Sequence, residues 1–226
     1  MMIVTRLYAK TNPDRLWNSV VEELGNYRSG YVTPFYVSQS IENFITISLQ
    51  VKATDSVVDF LEHVMDFLTQ KVARMDGLAD SHTMPLIKLR FLPILKDLPA
   101  TISRYTIEVK VHPQDYYKMY DSLLEARYDR NLAVTYIAYL FGEYDLLLSL
   151  LATDRLKVEE FANSLEKTKN ALETKITSIK RTKLLATMDD WGRFRMRLLH
   201  RPSWLTREIE ADYDLNYSLF TYDAPF

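Results

Sequence analysis

Residues 132–154 read LAVTYIAYLFGEYDLLLSLLATD, and this stretch decides the fold. Two apolar runs, 132–141 and 146–152, are separated by the polar sequence GEYD at 142–145. A single membrane helix here would hold Glu143 and Asp145 near its centre, at a cost of about 2.5–3.5 kcal/mol for a central Asp. Two strands joined by a tight turn avoid that cost, and Gly142 supplies the permissive backbone. The stretch therefore predicts a β-hairpin.

Both faces of the first hairpin strand are apolar. One alternating set of side chains in 132–141 is Val134, Tyr136, Ala138 and Leu140, and the other is Ala133, Ile137, Tyr139 and Phe141. A sheet with one face in water would show polar residues at every second position. The pattern predicts a hairpin covered on both faces, by helices on one side and by more sheet on the other.

The composition limits the class of protein. The chain has 226 residues, of which 47% are hydrophobic and 26% are charged, with a net charge of −2 and a pI near 6.1. These values give no global bias toward nucleic acid or anionic membrane. No stretch has the order of a signal peptide or membrane-spanning length, which predicts a cytoplasmic location. The absence of cysteine excludes thiolate metal ligands and a thiol nucleophile, and five glycines leave no usual phosphate loop.

The same order of predicted elements occurs twice around the hairpin. The first set is a strand at 3–10, a helix opened by Asn12 and Pro13, strands at 31–37 and 44–51, a helix capped within 53–55 and a strand at 86–92. The second is a strand at 104–112, a helix from Pro113, the hairpin, a helix capped within 152–154 and a strand at 176–187. Pro13 and Pro113 are 100 residues apart, and the two ATD triplets are 99 apart. Two helix-start signals with nearly one spacing indicate a duplication.

Each predicted unit is therefore β-α-β-β-α-β, the ferredoxin-like arrangement, and the fold class is α+β. Such a unit has both helices on one face of its sheet and an apolar second face. Two units in one chain can supply these faces to each other. The predicted domains are 1–92 and 104–190, joined by a linker at 93–103, with a C-terminal extension at 191–226.

With this order established, the second unit resembles the effector-binding (RAM) domain of Lrp/AsnC-type transcription regulators. The resemblance is carried by residues 105–112, by GEYD at 142–145 running into 146–152, and by IKRT at 179–182. It covers about 104–190 and, more weakly, 1–92. It implies an intrachain dimeric α/β-barrel built from tandem domains that oligomerise and bind small effectors, often amino acids, near the turn.

The ligand-binding residues predicted on this basis are Gly142, Glu143, Tyr144 and Asp145. Asp145 is expected to hold a ligand ammonium, and backbone N–H groups of the turn are expected to meet a carboxylate. The alternative is an ordinary hairpin turn, for which Gly and Asp are common residues. In the first unit the sequence SIENF at 40–44 stands at this position without the Gly and the Asp, so a site is expected only in the second unit.

The predicted function is a non-catalytic small-molecule sensing and oligomerisation module. The helix-turn-helix usual in the family is missing, because Met1 leads directly into a strand, so direct sequence-specific DNA binding is not expected. No catalytic residue, metal or cofactor is predicted: the four histidines lack metal-ligand spacing. These histidines are His63, His82, His112 and His200.

Two rival functions stay open. Related dimeric α/β-barrels include haem-dependent chlorite dismutase-like proteins and small monooxygenases; a haem enzyme would need an axial ligand, for which the second half offers His112 and His200. The other rival is a purely structural oligomer.

The tail adds a basic and aromatic segment. Arginines at 193, 195 and 197 alternate with apolar residues, so as a strand the segment would have one basic face, and aromatic residues continue to Phe226. Packing on its own chain or a role as an oligomer arm is preferred to a basic strip for a phosphate-bearing partner.

Overall fold

The computed structural model describes residues 1–27, 29–54, 56–168 and 171–215. The first half contains β1 (Met2–Ala9), α1 (Pro13–Gly25), β2 (Val32–Ser40), β3 (Phe44–Val51), α2 (Val57–Gln70) and β4 (Leu78–Phe91). The second contains β5 (Ile94–Leu95), β6 (Ser103–Val111), α3 (Tyr116–Leu124), β7 (Leu132–Tyr139), β8 (Leu146–Ala152), α4 (Arg155–Thr168) and β9 (Ala171–Leu184). The chain continues with α5 (Met188–Arg197) and β10 (Tyr213–Asp214). The order β-α-β-β-α-β occurs twice, and the predicted α+β fold class of two ferredoxin-like repeats is confirmed.

The first compact unit comprises Met1–Leu86 with Lys180–Trp191. In it β1 pairs antiparallel with both β3 and β4, and β2 pairs with β3. The core joins apolar residues of this sheet to α1 and α2, among them Leu16, Val20, Ile47 and Phe67. The fold of this unit is thus held by burial of one sheet face against two amphipathic helices.

The second compact unit comprises Ile87–Ile179 with Gly192–Phe226. In it β8 lies between β6 and β7 and pairs antiparallel with both, and β6 also pairs with β9. Every residue of β8 is buried. Leu146, Leu148 and Leu150 enter the main core with α3 and α4, while Leu151 packs with Ile94 and other apolar residues at 94–102. The prediction of a hairpin buried on both faces is confirmed for β8.

The boundaries of the units differ from the predicted ones at 92 and 190. β4 and β9 are each 14 residues long, and each contributes to both units. The first part of β4 pairs with β1, whereas Ile87–Phe91 pairs with β7. The sequence predicted shorter strands, because residues 78–85 have no clean apolar alternation, and so missed that one strand contributes to both units.

The helix starts follow local capping chemistry. The Asn12 side chain accepts hydrogen bonds from the backbone N–H groups of Asp14 (2.9 Å) and Arg15 (3.3 Å), as the predicted cap requires. In α2, however, the cap is Ser56, whose hydroxyl accepts from the N–H of Val58 at 3.1 Å. The predicted cap residue Asp55 lies outside the described residues. As a result α2 begins at Val57, 98 residues before α4 begins at Arg155, whereas the two ATD triplets are 99 residues apart.

The tail arginines do not lie on a strand with one basic face, because these residues belong to α5. The Thr187 hydroxyl accepts from the Asp190 N–H (3.1 Å) and contacts the Asp190 carboxylate (2.7 Å), a reciprocal arrangement that starts a helix. Arg195 is buried, with its guanidinium 6.0 Å from the ring centroid of Phe91, so it belongs to no exposed basic face. The aromatic residues of the sequence at 217–226 lie outside the described residues.

Among the residues described, none of the helices combines the length and the apolar character needed to cross a bilayer.

Candidate functional site

The 142–145 turn connects β7 to β8 in the second unit. Gly142 has φ +152°, a conformation that side-chain-bearing residues rarely adopt, which explains the glycine. Gly142 and Glu143 are exposed, Asp145 is half-buried and Tyr144 is buried. Of the four predicted ligand-binding residues, two therefore present atoms freely to solvent.

Asp145 fastens the turn to the end of β6. Its Oδ2 accepts a hydrogen bond from the backbone N–H of Val111 at 2.8 Å, and its own N–H donates to the carbonyl of Val109 at 2.9 Å. Its carbonyl accepts from the N–H of Leu140 at 2.8 Å. One carboxylate oxygen and the backbone N–H proposed for ligand contact are thus already engaged within the fold.

Tyr144 turns toward β9. Its hydroxyl donates to Oε1 of Glu173 at 2.9 Å. Burial, and then the hydrogen bond to Glu173, raise the pKa of Tyr144 to about 12. The phenol is therefore neutral at physiological pH and anchors the turn.

A group of four tyrosines adjoins the turn, and we call it the tyrosine cluster: Tyr116, Tyr117 and Tyr120 of α3, and Tyr139 of β7. The Tyr139 ring is stacked with those of Tyr116 (centroids 4.8 Å apart) and Tyr120 (4.4 Å). Residues at i and i+4 share one helix face, which lets both reach the same ring. The Tyr116 hydroxyl also donates to the carbonyl of Asp145 at 3.3 Å. The cluster and the turn are therefore in direct contact.

Lys88 brings a positive charge to the cluster. The register of β4 against β7 shifts between Ile87 and Arg90, and Lys88 in this bulge has φ +48°. Its carbonyl accepts from the Tyr120 hydroxyl, and its ammonium lies 4.8 Å from the ring centroid of Tyr117. Bulges redirect side chains, and a non-glycine residue in the left-handed region costs about 1–3 kcal/mol. The strained backbone conformation of Lys88 therefore holds its ammonium beside the tyrosine cluster.

The cluster has a buried part and an exposed part. Tyr120 and Tyr139 are 4% and 5% exposed, whereas Tyr117 is 66% exposed. Phe141, next to the turn, is 65% exposed. Burial raises the pKa of Tyr139 and also raises that of Tyr120 to about 12. Within the part of the chain that is described, the buried Tyr139 hydroxyl has no hydrogen-bond partner, an uncommon state for a buried polar atom.

The sequence predicts Tyr139 within the hairpin and a helix from Pro113, the segment that contains the other three tyrosines, but it predicts no cluster of these side chains. Three tyrosines at i, i+1 and i+4 were the available signal for a clustered surface. No sequence signal pointed to Lys88, because the left-handed conformation favours Gly and Asn, not Lys.

The first unit fills the comparable place differently. Trp17 and Gln39 stand 100 residues before Tyr117 and Tyr139. The guanidinium of Arg181 lies 4.5 Å from the Trp17 ring centroid and donates to Gln39 (2.5 Å) and Asp14 (2.6 Å). A hydrogen bond from Gln39 leads the effects that lower the pKa of Asp14. The cation of this unit is thus paired internally.

Metal-binding geometry was also sought in the part of the chain that is described. There, no three His, Asp or Glu side chains come together in a way that could hold a metal ion. His200 instead lies 2.8 Å from Oε1 of Glu125, and the same carboxylate accepts from the N–H and hydroxyl of Ser203.

No family model matches the chain, and no curated protein matches it either. Solved structures do match. One, described as an anthrone oxidase-like protein, has a TM-score of 0.52 and 9% identity over 82% of this chain and 94% of its own. The siroheme decarboxylase NirDL has a TM-score of 0.52 and 7% identity over 87% of this chain and 78% of its own.

Both likenesses are at low identity, so they establish the fold alone, a mixed α+β arrangement of the kind found in dimeric α/β-barrel proteins.

Proposed function

We propose that this chain is a small-molecule-binding and self-assembling module, with its ligand site in the second unit. The site consists of the tyrosine cluster, Lys88 and the exposed part of the 142–145 turn. The observation that carries the proposal is Lys88, because a lysine in a left-handed conformation holds its ammonium beside an exposed tyrosine ring. Strained residues of this kind concentrate at functional sites.

The chemistry of these groups favours an amino acid with an aromatic side chain. The Lys88 ammonium suits the ligand carboxylate, and the exposed carboxylate of Glu143 suits its ammonium. The exposed ring of Tyr117 offers a surface on which an aromatic ring stacks. Asp145, which was expected to hold the ammonium, contributes here mainly by fixing the turn.

The resemblance to tandem Lrp/AsnC effector domains points in the same direction. It implies effectors that bind near this turn, and the turn contacts the tyrosine cluster through Tyr116. On this proposal the chain has a sensing role related to that of those regulators and acts through partners.

Self-assembly is assigned to α2. Its exposed side includes Val57, Val58, Leu61 and Met65, each more than half exposed. At the equivalent positions α4 carries Arg155, Leu156, Glu159 and Asn163, with an ion pair of 2.8 Å between Arg155 and Glu159. Three of four apolar positions in α2 are thus polar in its repeat. We assign a second copy of this chain to the α2 stripe, since a net charge of −2 gives little repulsion between copies.

Calorimetry tests the ligand proposal. Phenylalanine, tryptophan, glutamate and lysine are titrated into the full chain, and saturable binding is expected for the aromatic members. Lys88→Met, which keeps the length of the side chain and removes its charge, should weaken binding at least tenfold. Lys167→Met, at an exposed position of α4, is the matched control and should bind as the parent does. If both variants bind equally well, Lys88 does not contribute to ligand binding.

The second candidate function is an enzyme. The observation that favours it is the buried Tyr139 hydroxyl, which has no hydrogen-bond partner in the described part of the chain and is therefore free to donate a hydrogen bond to a bound substrate. Anthrone is a suitable first substrate because one neighbour is described as anthrone oxidase-like. Oxygen uptake that requires Tyr139, measured with Tyr139→Phe as comparison, would favour this function over sensing.

A further inference from the structure

The first unit contains a cavity that none of the sequence patterns predicted. It has a volume of about 190 Å³ and lies beside α2 and the start of β2. Since a water molecule occupies about 30 Å³ of liquid, this is room for about six waters or one small organic molecule. Its residues include Tyr27, Tyr31, His63, Asp66 and Lys71.

Aromatic rings form the walls of the cavity. The rings of Tyr31 and His63 are stacked with centroids 3.8 Å apart, and the ring of Tyr27 meets that of Phe67 edge to face at 5.2 Å. Phe67 is buried, while Tyr31 is half exposed. The aromatic lining therefore offers surfaces against which a flat ligand ring can pack.

Charged groups select the ligand further. The Lys71 ammonium lies 5.7 Å from the Tyr27 ring centroid, so this aromatic face already holds a cation. A ligand cation would compete with Lys71 for the ring and be repelled by it, whereas a carboxylate would pair with it. Asp66, also at the cavity, accepts hydrogen bonds and suits a ligand hydroxyl.

We infer that this cavity binds a small hydroxylated aromatic carboxylate. The ring lies between the tyrosine walls, the carboxylate meets Lys71 and the hydroxyl donates to Asp66. This site is in the first unit and is independent of the site proposed for the second unit.

The test uses 4-hydroxybenzoate and the full chain, followed by ¹H–¹⁵N NMR. Saturable shifts are expected at the amides of Tyr31, His63 and Lys71. Lys71→Met should weaken binding at least tenfold, and Tyr31→Ala, at a half-exposed position, should weaken it as well. Lys52→Met, at an exposed position of the same unit, is the control and should leave binding unchanged. Benzylamine, with the opposite charge, should not bind.

The inference fails if 4-hydroxybenzoate gives no saturable shifts, if benzylamine binds equally well, or if Lys71→Met binds like the parent. Lys88→Met separates the two sites: it should weaken amino-acid binding in the second unit at least tenfold and leave 4-hydroxybenzoate binding unchanged. Loss of both in this variant would also contradict the assignment of two independent sites.

Discussion

At the residue scale, the strained backbone of Lys88 has to be stabilised by the contacts of its side chain and carbonyl. Its left-handed backbone costs about 1–3 kcal/mol, while a cation–π contact at an exposed ring returns about 0.5–1 kcal/mol. The hydrogen bond from Tyr120 to its carbonyl adds about 1 kcal/mol. Together these contacts return about 1.5–2 kcal/mol, which is comparable to the cost of the left-handed backbone. They hold Lys88 in its strained conformation beside the tyrosine cluster.

The two buried tyrosine hydroxyls should respond oppositely to removal. Tyr139→Phe deletes a buried hydroxyl that lacks a partner among the described residues, so the free energy of unfolding should rise by about 1 kcal/mol. Tyr120→Phe removes the donor to Lys88 and should lower it by about 1 kcal/mol. Urea unfolding of both variants measures the difference, and a destabilised Tyr139→Phe would show that its hydroxyl has a structural partner.

The turn carboxylates should also separate into structural and exposed groups. Asp145→Ala leaves the N–H of buried Val111 without its acceptor and should cost about 1–3 kcal/mol of stability. Glu143→Gln, at an exposed position, should change stability by less than about 0.5 kcal/mol while weakening binding of an amine-bearing ligand. Thermal melts measure the stability of both variants, and calorimetry measures their ligand binding. An unchanged melting temperature for Asp145→Ala would contradict the anchoring role of Asp145.

At the element scale, sequence chemistry predicted what depends on local signals. Asn12 and Pro13 placed the start of α1, and the apolar runs placed β3 and β8 with the bounds they have. The helix α5 was missed, because alternating arginines suggested a strand and the capping pair Thr187 and Asp190 was overlooked. The length of β4 was missed because its two parts pair with different strands, β1 and β7, and strand pairing is a nonlocal property.

The difference between α2 and α4 predicts where copies of the chain meet. Val57→Arg, Leu61→Glu and Met65→Asn together give α2 the surface of α4, and should convert an oligomer to a smaller species in light scattering. The reverse substitutions in α4, Arg155→Val, Glu159→Leu and Asn163→Met, are the control and should not rescue assembly in the first variant. An unchanged mass for the α2 variant would mean that the stripe is not the interface.

Acid should release the segment after α5 from the end of α3. The backbone N–H of Ser203, then its hydroxyl and His200, lower the pKa of Glu125 below its ordinary 4.5. A lowered pKa means that these contacts contribute fully above 4.5 and are lost as the pH falls through the lowered value. The indole N–H resonance of Trp204, which donates to the Glu125 carbonyl at 3.0 Å, should report the release. Glu125→Gln should remove this pH dependence. If the transition occurs at the same pH in that variant, a group other than Glu125 causes it.

At the scale of the whole molecule, the chain contains two β-α-β-β-α-β units whose side-chain contacts differ. Repeated helix-start signals predicted the two β-α-β-β-α-β units, because capping and apolar period are written locally. The tyrosine cluster joins α3 to β7, and Lys88 joins it from β4, so its assembly depends on tertiary pairing that no window of sequence contains. The turn at 142–145 was found by resemblance; the cluster beside it required the structure.

NMR shift mapping of the parent chain with L-phenylalanine shows whether the tyrosine cluster binds a ligand. Saturable shifts are expected at Lys88, at Tyr117 and around the 142–145 turn. The turn at 40–44 of the first unit should stay unshifted, in the parent and in Asn43→Gly, a substitution suited to the φ of +68° at that residue. Shifts confined to the first unit, or none at millimolar ligand, would contradict a ligand site built on the tyrosine cluster.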